Sequence, residues 1–190
     1  MDLKSHATVA EYFFEVVTEA IRNQGVDTSQ TAEYYLVNLL ATHTKAPPSY
    51  DDEPLGVKAL ASMLASPDER VRQLKDVGDT SLYISGFFAD SLQRRLVDVD
   101  YYIQIGGRAY GELARHFKVT RGSEAGEVYV ELYEKFPRFV DVLAEISERS
   151  SMTTPQGVVQ LYERWLRTGS ERVAQRLRAK GVLPKKSEVQ

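Results

Sequence analysis

The sequence predicts an all-α protein, a helical bundle of about seven or eight helices. Three observations carry that expectation. Apolar residues recur at gaps of three and one through most of the chain, the period of a helix with one buried face. Capping residues stand before these stretches and glycines after them. The chain has 190 residues, 43% hydrophobic and 27% charged, which is enough apolar material for one core. The expected organisation is one helical domain over 1–184 and a flexible basic tail over 185–190.

The elements follow in order. Val9, Tyr12, Phe13, Val16, Val17, Ala20 and Ile21 share one helical face. Thr8 and Glu11 fit the S/T-x-x-E capping box, and Gly25 stands where a left-handed residue closes a helix. A second helix is expected from about Ser29 to Thr44, with Tyr35, Leu36, Leu39, Leu40 and His43 on one side. The stretch from Lys45 to Pro54 breaks it with two adjacent prolines and three acids, and reads as an exposed, mobile loop. Leu55, Ala59, Leu60, Met63 and Leu64 give a short third helix. Ser66-Pro67-Asp68-Glu69 opens a fourth, since serine caps, proline suits the first turn and acids meet the positive helix end. Val71, Leu74, Gly78, Leu82 and Ser85 follow on one side. Gly78, Ser81 and Ser85 are small enough to admit a second helix closely.

Two periods compete in the middle. Val97, Val99, Tyr101, Ile103 and Ile105 alternate with polar residues as in a strand. Tyr102, Ile105, Gly106, Ala109, Leu113 and Phe117 form a helical stripe that persists longer, so a helix capped by Asp98 or Asp100 is preferred. Gly106 and Gly107 each disfavour that helix by about 1 kcal/mol, so close packing is expected to offset them. Ser123 to Arg149 reads as one helix broken at Pro137, or two. Tyr129, Leu132, Tyr133 and Phe136 face inward before the proline, and Val140, Leu143 and Ile146 after it. Thr154-Pro155 opens a helix carrying Val158, Leu161, Tyr162, Trp165 and Leu166, closed by Gly169. The single tryptophan is therefore expected to be a buried anchor. Ser170 opens a last short helix with Val173 and Leu177, closed by Gly181.

Composition removes several chemistries. There is no cysteine, so disulfides, thiolate metal sites and cysteine nucleophiles are excluded. No apolar run reaches the roughly 18 residues of a membrane helix, and no signal peptide opens the chain; a cytoplasmic protein is the expectation. None of His6, His43 and His116 has the i, i+3 spacing of a Glu-x-x-His metal helix; Glu112 and His116 are i, i+4, and that pair reads as a helix surface. Glu11 and Glu15 also read as a solvated face. Gly106-Gly107-Arg108-Ala109-Tyr110-Gly111 is not a dinucleotide fingerprint, and no Walker lysine or G-x-S-x-G motif occurs. No metal or cofactor is called for.

Two features invite a functional reading. Acids, hydroxyls and aromatics interleave with glycines from Gly78 to Tyr102. Asp79, Ser85, Asp98, Asp100, Tyr101 and Tyr102 are the candidate lining of a ligand pocket between helices. The structural alternative makes those acids helix caps and acceptors for tyrosine hydroxyls. The second feature is charge. From Arg164 onward eight basic residues face only Glu171 and Glu188, a net +6, against −9 for the rest. Arg172, Arg176, Arg178 and Lys180 are thus candidate contacts to an acidic partner or to a second copy. Nucleic acid is disfavoured by the overall charge of −3, because nucleic-acid-binding domains are basic.

The motifs Gly78-Asp-Thr-Ser-Leu-Tyr-Ile-Ser-Gly-Phe-Phe88 and Val97-Asp-Val-Asp-Tyr-Tyr102 resemble those of an uncharacterised family of small bacterial helical proteins. The likeness extends from the Tyr34–Leu40 stretch to Trp165. It implies a bacterial, cytoplasmic origin and carries no activity, cofactor or catalytic residue. The expected function is therefore non-catalytic, through binding a protein partner or another copy. The alternative is a ligand-binding or enzymatic pocket at Asp79, Asp98, Asp100 and the neighbouring tyrosines.

Overall fold

A computed structural model describes residues 9–45, 54–88, 98–120, 123–151, 162, 165, 169, 171–179 and 182. The fold is an all-α bundle, with no strand among the described residues. Eight helices are described: α1 (Val9–Gln24), α2 (Gln30–Lys45), α3 (Leu55–Ser62), α4 (Pro67–Phe87), α5 (Val99–Thr120), α6 (Ser123–Glu134), α7 (Phe136–Ser151) and α8 (Glu171–Ala179). Packing divides the chain into two compact units, 1–146 and 147–190. The Thr8 cap, residues 46–53 of the Lys45–Pro54 loop, the Thr154-Pro155 opening, Val158, Leu161 and Leu166 of the tryptophan stripe, Ser170, Gly181 and the 185–190 tail lie outside the described residues.

Among the described residues of the first unit, α1 packs on α2, α3 on α4, α4 on α5 and α5 on α6. The α1 stripe points inward, with Phe13, Val17 and Ala20 buried. Gly25 adopts φ 61°. The amide of Val26 bonds Ile21 O and that of Gly25 bonds Arg22 O, both at 3.1 Å. This is the Schellman closure that the glycine predicts. Ser66 occupies the position before α4 and Pro67 its first turn, but the serine side chain makes no capping bond. Its contribution is extended backbone geometry, and Ser66 O accepts from Arg70 N at 2.8 Å.

The helical period wins in the ambiguous middle. Asp98 Oδ1 accepts from Tyr101 N at 3.0 Å and starts α5, and Ala109 and Leu113 of its stripe are buried. The next segment forms two helices that part at Lys135, with Pro137 in the first turn of α7, where its missing N–H has no partner to lose. Leu132 and Phe136 are buried as expected, but Tyr133 is 52% exposed. Its ring lies over Gly111 at the edge of α5 rather than in the core. Three residues that mark α3 in the sequence also turn outward, namely Leu60, Met63 and Leu64. The helix is eight residues long and ends at Ser62; it buries its Ser62 edge, with Ala59 packed against the core.

Small residues let α4, α5 and α7 approach. A Cβ on Gly78 would lie 2.5 Å from the Tyr110 ring, and one on Gly86 2.4 Å from Leu143 Cβ. A Cβ on Gly106 would meet Ser81 Cβ at 2.5 Å and Phe136 Cζ at 2.6 Å, whereas one on Gly107 would meet nothing within 4 Å. Close packing therefore explains Gly106 and leaves Gly107 without a structural account. We expect Gly106→Ala to destabilise by about 1–3 kcal/mol through overpacking. Gly107→Ala should instead stabilise by up to about 1 kcal/mol through helix propensity. Melting temperatures that move in the same direction for both variants would refute this.

The second unit holds Trp165, buried with Val173, Ala174 and Leu177, with Tyr162 and Val182 packed alongside. Gly169 has φ 62°, and its amide bonds Trp165 O at 2.8 Å, as expected for a glycine that closes the helix. The Val182 amide reaches back to Leu177 O at 2.9 Å and finishes the turn after α8.

Candidate functional site

The pocket residues anticipated from the sequence do not converge. Asp98 caps α5. Asp100 is exposed in the first turn of the same helix. Tyr101 is partly exposed, with its hydroxyl against Gly56, and its ring meets Tyr102 edge-on at 5.3 Å. Ser85 is buried and donates to Ser81 O at 2.7 Å within its own helix. Asp79 alone joins a polar centre, and its partners come from other helices.

That centre is built on α4. Asp79 Oδ1 accepts from the Tyr35 hydroxyl of α2 at 2.5 Å and from the Tyr110 hydroxyl of α5 at 2.8 Å. Lys75, one turn earlier, donates to Oδ2, and its ammonium sits 5.1 Å over the Tyr35 ring, a cation–π arrangement. Tyr129 of α6 brings a third phenol, its ring 6.0 Å from that of Tyr35 and 6.1 Å from that of Tyr110. Burial, reinforced by the Asp79 charge, holds all three phenols above their ordinary pKa of 10.0. They therefore remain neutral donors. One carboxylate thus pins α2, α4 and α5 together, the structural role the sequence offers for these acids.

A cleft of about 300 Å³ opens beside it, lined by Tyr35, Asn38, Leu39, Thr42, His43, Lys75 and Asp79. His43 is satisfied within the fold: Nδ1 donates to Leu39 O at 3.0 Å, and the ring stacks on Tyr83 at 4.6 Å. Glu112 bonds Arg70 at 3.0 Å and also pairs with Arg115. No cluster of three or more His, Asp or Glu suited to a metal occurs among the described residues.

Glu131 makes a second polar tie. It accepts from Thr28 Oγ1 at 2.7 Å, from the Ser29 amide at 2.9 Å and from the Ser29 hydroxyl, with Lys135 at 3.1 Å. Partial burial pushes its pKa up, but these four donors outweigh that and hold it below the ordinary carboxylate value. Glu145 similarly takes Asn23 at 2.8 Å and Gln24 at 2.6 Å.

The surface that sequence reasoning missed lies on α3, α5 and α6. Leu60 is 67% exposed, Met63 66% and Leu64 94%, with Val57 beside them on the same stripe. Between α3, α4 and α5 runs a groove of about 300 Å³ whose walls include Leu60, Met63, Ile105 and Arg108. A second groove of about 390 Å³ runs between α5 and α6 over Gly111 and Ala114, walled by Val130 and Tyr133. Arg108 and Arg115 of α5 line the two edges of this surface. The only sequence signal for it is the shortness of α3, which cannot bury apolar residues on more than one side.

At the basic end, Arg176 pairs with Glu148 and Arg178 with Glu171 at 2.6 Å, both within the second unit. The side chains of Arg172 and Lys180 lie outside the described residues. No helix among the described residues is long and apolar enough to cross a membrane.

No protein-family model, curated protein or solved structure matches the chain.

Proposed function

We propose that this is a non-catalytic helical protein that works by binding another protein, and that the α3–α5–α6 surface is where it does so. The observation that carries the reading is the outward stripe of Leu60, Met63 and Leu64, bordered by the groove between α3, α4 and α5, with a second groove between α5 and α6. Single exposed apolar residues are ordinary, whereas a contiguous group beside concave surface is the mark of an interaction site. A cytoplasmic location and a bacterial origin belong to the same proposal. The ligand-pocket alternative has less support. Asp79 is already engaged by two tyrosines and a lysine, and Asp98 and Asp100 are not among the residues that line its cleft.

The test is a selection of displayed random peptides against the parent and a Leu60→Asp/Leu64→Asp variant. Both positions are exposed, so the variant should keep its helix content and melting temperature. Peptides enriched on the parent are expected to be lost from the variant. Equal enrichment on both proteins overturns the reading.

A further inference from the structure

The grooves beside the apolar stripe carry more positive than negative charge. Arg70, Arg108, Arg115 and Lys118 line the grooves on either side of α5, against the carboxylates Glu112 and Glu134. Glu112 is shared between Arg70 and Arg115, so it neutralises only one of them. Arg108 and Lys118 form no salt bridge among the described residues. This is a local cationic excess on a chain whose net charge is −3.

That excess discriminates between occupants. A twofold self-association through this surface would set the patch against itself and bring the same cations face to face, which complementary interfaces avoid. The C-terminal stretch from Arg164, at net +6, has the same sign and is disfavoured too. The grooves lie along helices, and Gly111 and Ala114 keep the floor of one of them low. This suits a helix laid in a groove, with anchors at i, i+3 or i+4 and i+7.

We infer that the α3–α5–α6 surface docks an acidic amphipathic helix of a partner protein. The partner's apolar face covers Leu60, Met63 and Leu64, and its flanking Asp or Glu side chains meet Arg108, Arg115 and Lys118. The inference rests on the protein-binding reading above and adds the chemistry of the partner. Arg108 and Lys118 make the sharpest contribution, because they are free to pair without breaking an existing bond. Rim charges of this kind set orientation and encounter rate, while the apolar anchors supply most of the binding energy.

The experiment uses the full chain and two labelled synthetic helical peptides with the same leucine face. One carries glutamates on its polar face and the other lysines. Fluorescence anisotropy is expected to give at least about tenfold tighter binding of the acidic peptide, the factor that corresponds to ~1.4 kcal/mol. Its affinity should fall as the Debye length shrinks from about 10 Å at 0.1 M salt to about 3 Å at 1 M. An Arg108→Glu/Lys118→Glu variant should reverse the preference. Equal binding of the two peptides, an acidic preference that survives charge reversal, or no binding of the acidic peptide overturns the inference. The Leu60→Asp/Leu64→Asp variant separates the two levels. If it abolishes binding of both peptides while the charge reversal changes nothing, the apolar surface stands and the acidic partner falls.

Discussion

Replacing Asp79 by alanine is expected to destabilise the 1–146 unit by about 2–6 kcal/mol. The two hydroxyls lose their carboxylate acceptor, at about 1–3 kcal/mol each. Tyr110 is completely buried and Tyr35 largely so, and the neighbouring phenols, which already hydrogen-bond one another, replace only part of what the carboxylate accepts. Asp79→Asn keeps an acceptor and should cost less, losing mainly the charge and the Lys75 pair. Native-state hydrogen exchange of the α4 and α5 amides reads the loss without interference from the second unit. A change of less than ~0.5 kcal/mol, the size of an ordinary surface substitution, would show that the hydroxyls find other partners. The phenols add a signature in pH. Their raised pKa values mean that the folded state holds protons the unfolded chain releases. This contribution is complete below pH 10 and drains away as pH rises beyond it. Removing Asp79 deletes the charge part of those shifts and leaves the burial part, so the alkaline loss of stability should become shallower.

Trp165→Ala is expected to cost about 3–5 kcal/mol, the usual penalty for emptying a buried indole site. Among the described residues, Trp165 is packed with Val173, Ala174, Leu177, Tyr162 and Val182. Three of these lie on α8, so α8 should lose its exchange protection while the helices of the first unit keep theirs. The parent's tryptophan emission should be blue-shifted and poorly quenched by acrylamide. Water-like emission together with unchanged protection of α8 in the variant would contradict the burial of Trp165 as an anchor.

The parts of the fold legible in the sequence are those set by local period and local caps. The α1 stripe, the Gly25 closure, the Asp98 cap and the burial of Trp165 all follow from residues within a few positions of one another. Asp79 shows where that reasoning stops. Its acidic character and small neighbours marked it out, but Tyr35 lies 44 residues away and Tyr110 31. A hydrophobic period says that both tyrosines face inward without saying toward which carboxylate. Asp98, Asp100, Tyr101 and Tyr102 are near Asp79 in the chain yet occupy the far end of α5, because a rigid helix carries sequence neighbours away from one another. Leu60, Met63 and Leu64 fail for the opposite reason. Their spacing is that of a buried stripe, and only the placement of α3 against α4 decides which side is covered.

The order in which these helices pack has a kinetic consequence. Among the described residues the most extensive packings, α4 on α5 and α5 on α6, join elements adjacent in the chain, and local contacts of this kind close short loops and favour fast folding. The packing of α7 on α4 at Leu143 and Gly86 closes a longer stretch, and so do the polar ties: Asp79 to Tyr35, Glu131 to Thr28 across 103 residues and Glu145 to Asn23 across 122. These bonds require helices already in place, so we expect them to mature after the rate-limiting step, in which case Asp79→Asn speeds unfolding and leaves the folding rate unchanged. Interactions absent from the transition state slow unfolding and leave the folding rate nearly unchanged. On that expectation the carboxylates at Asp79, Glu131 and Glu145 are latches, added to helices already assembled, that lengthen the life of the folded state.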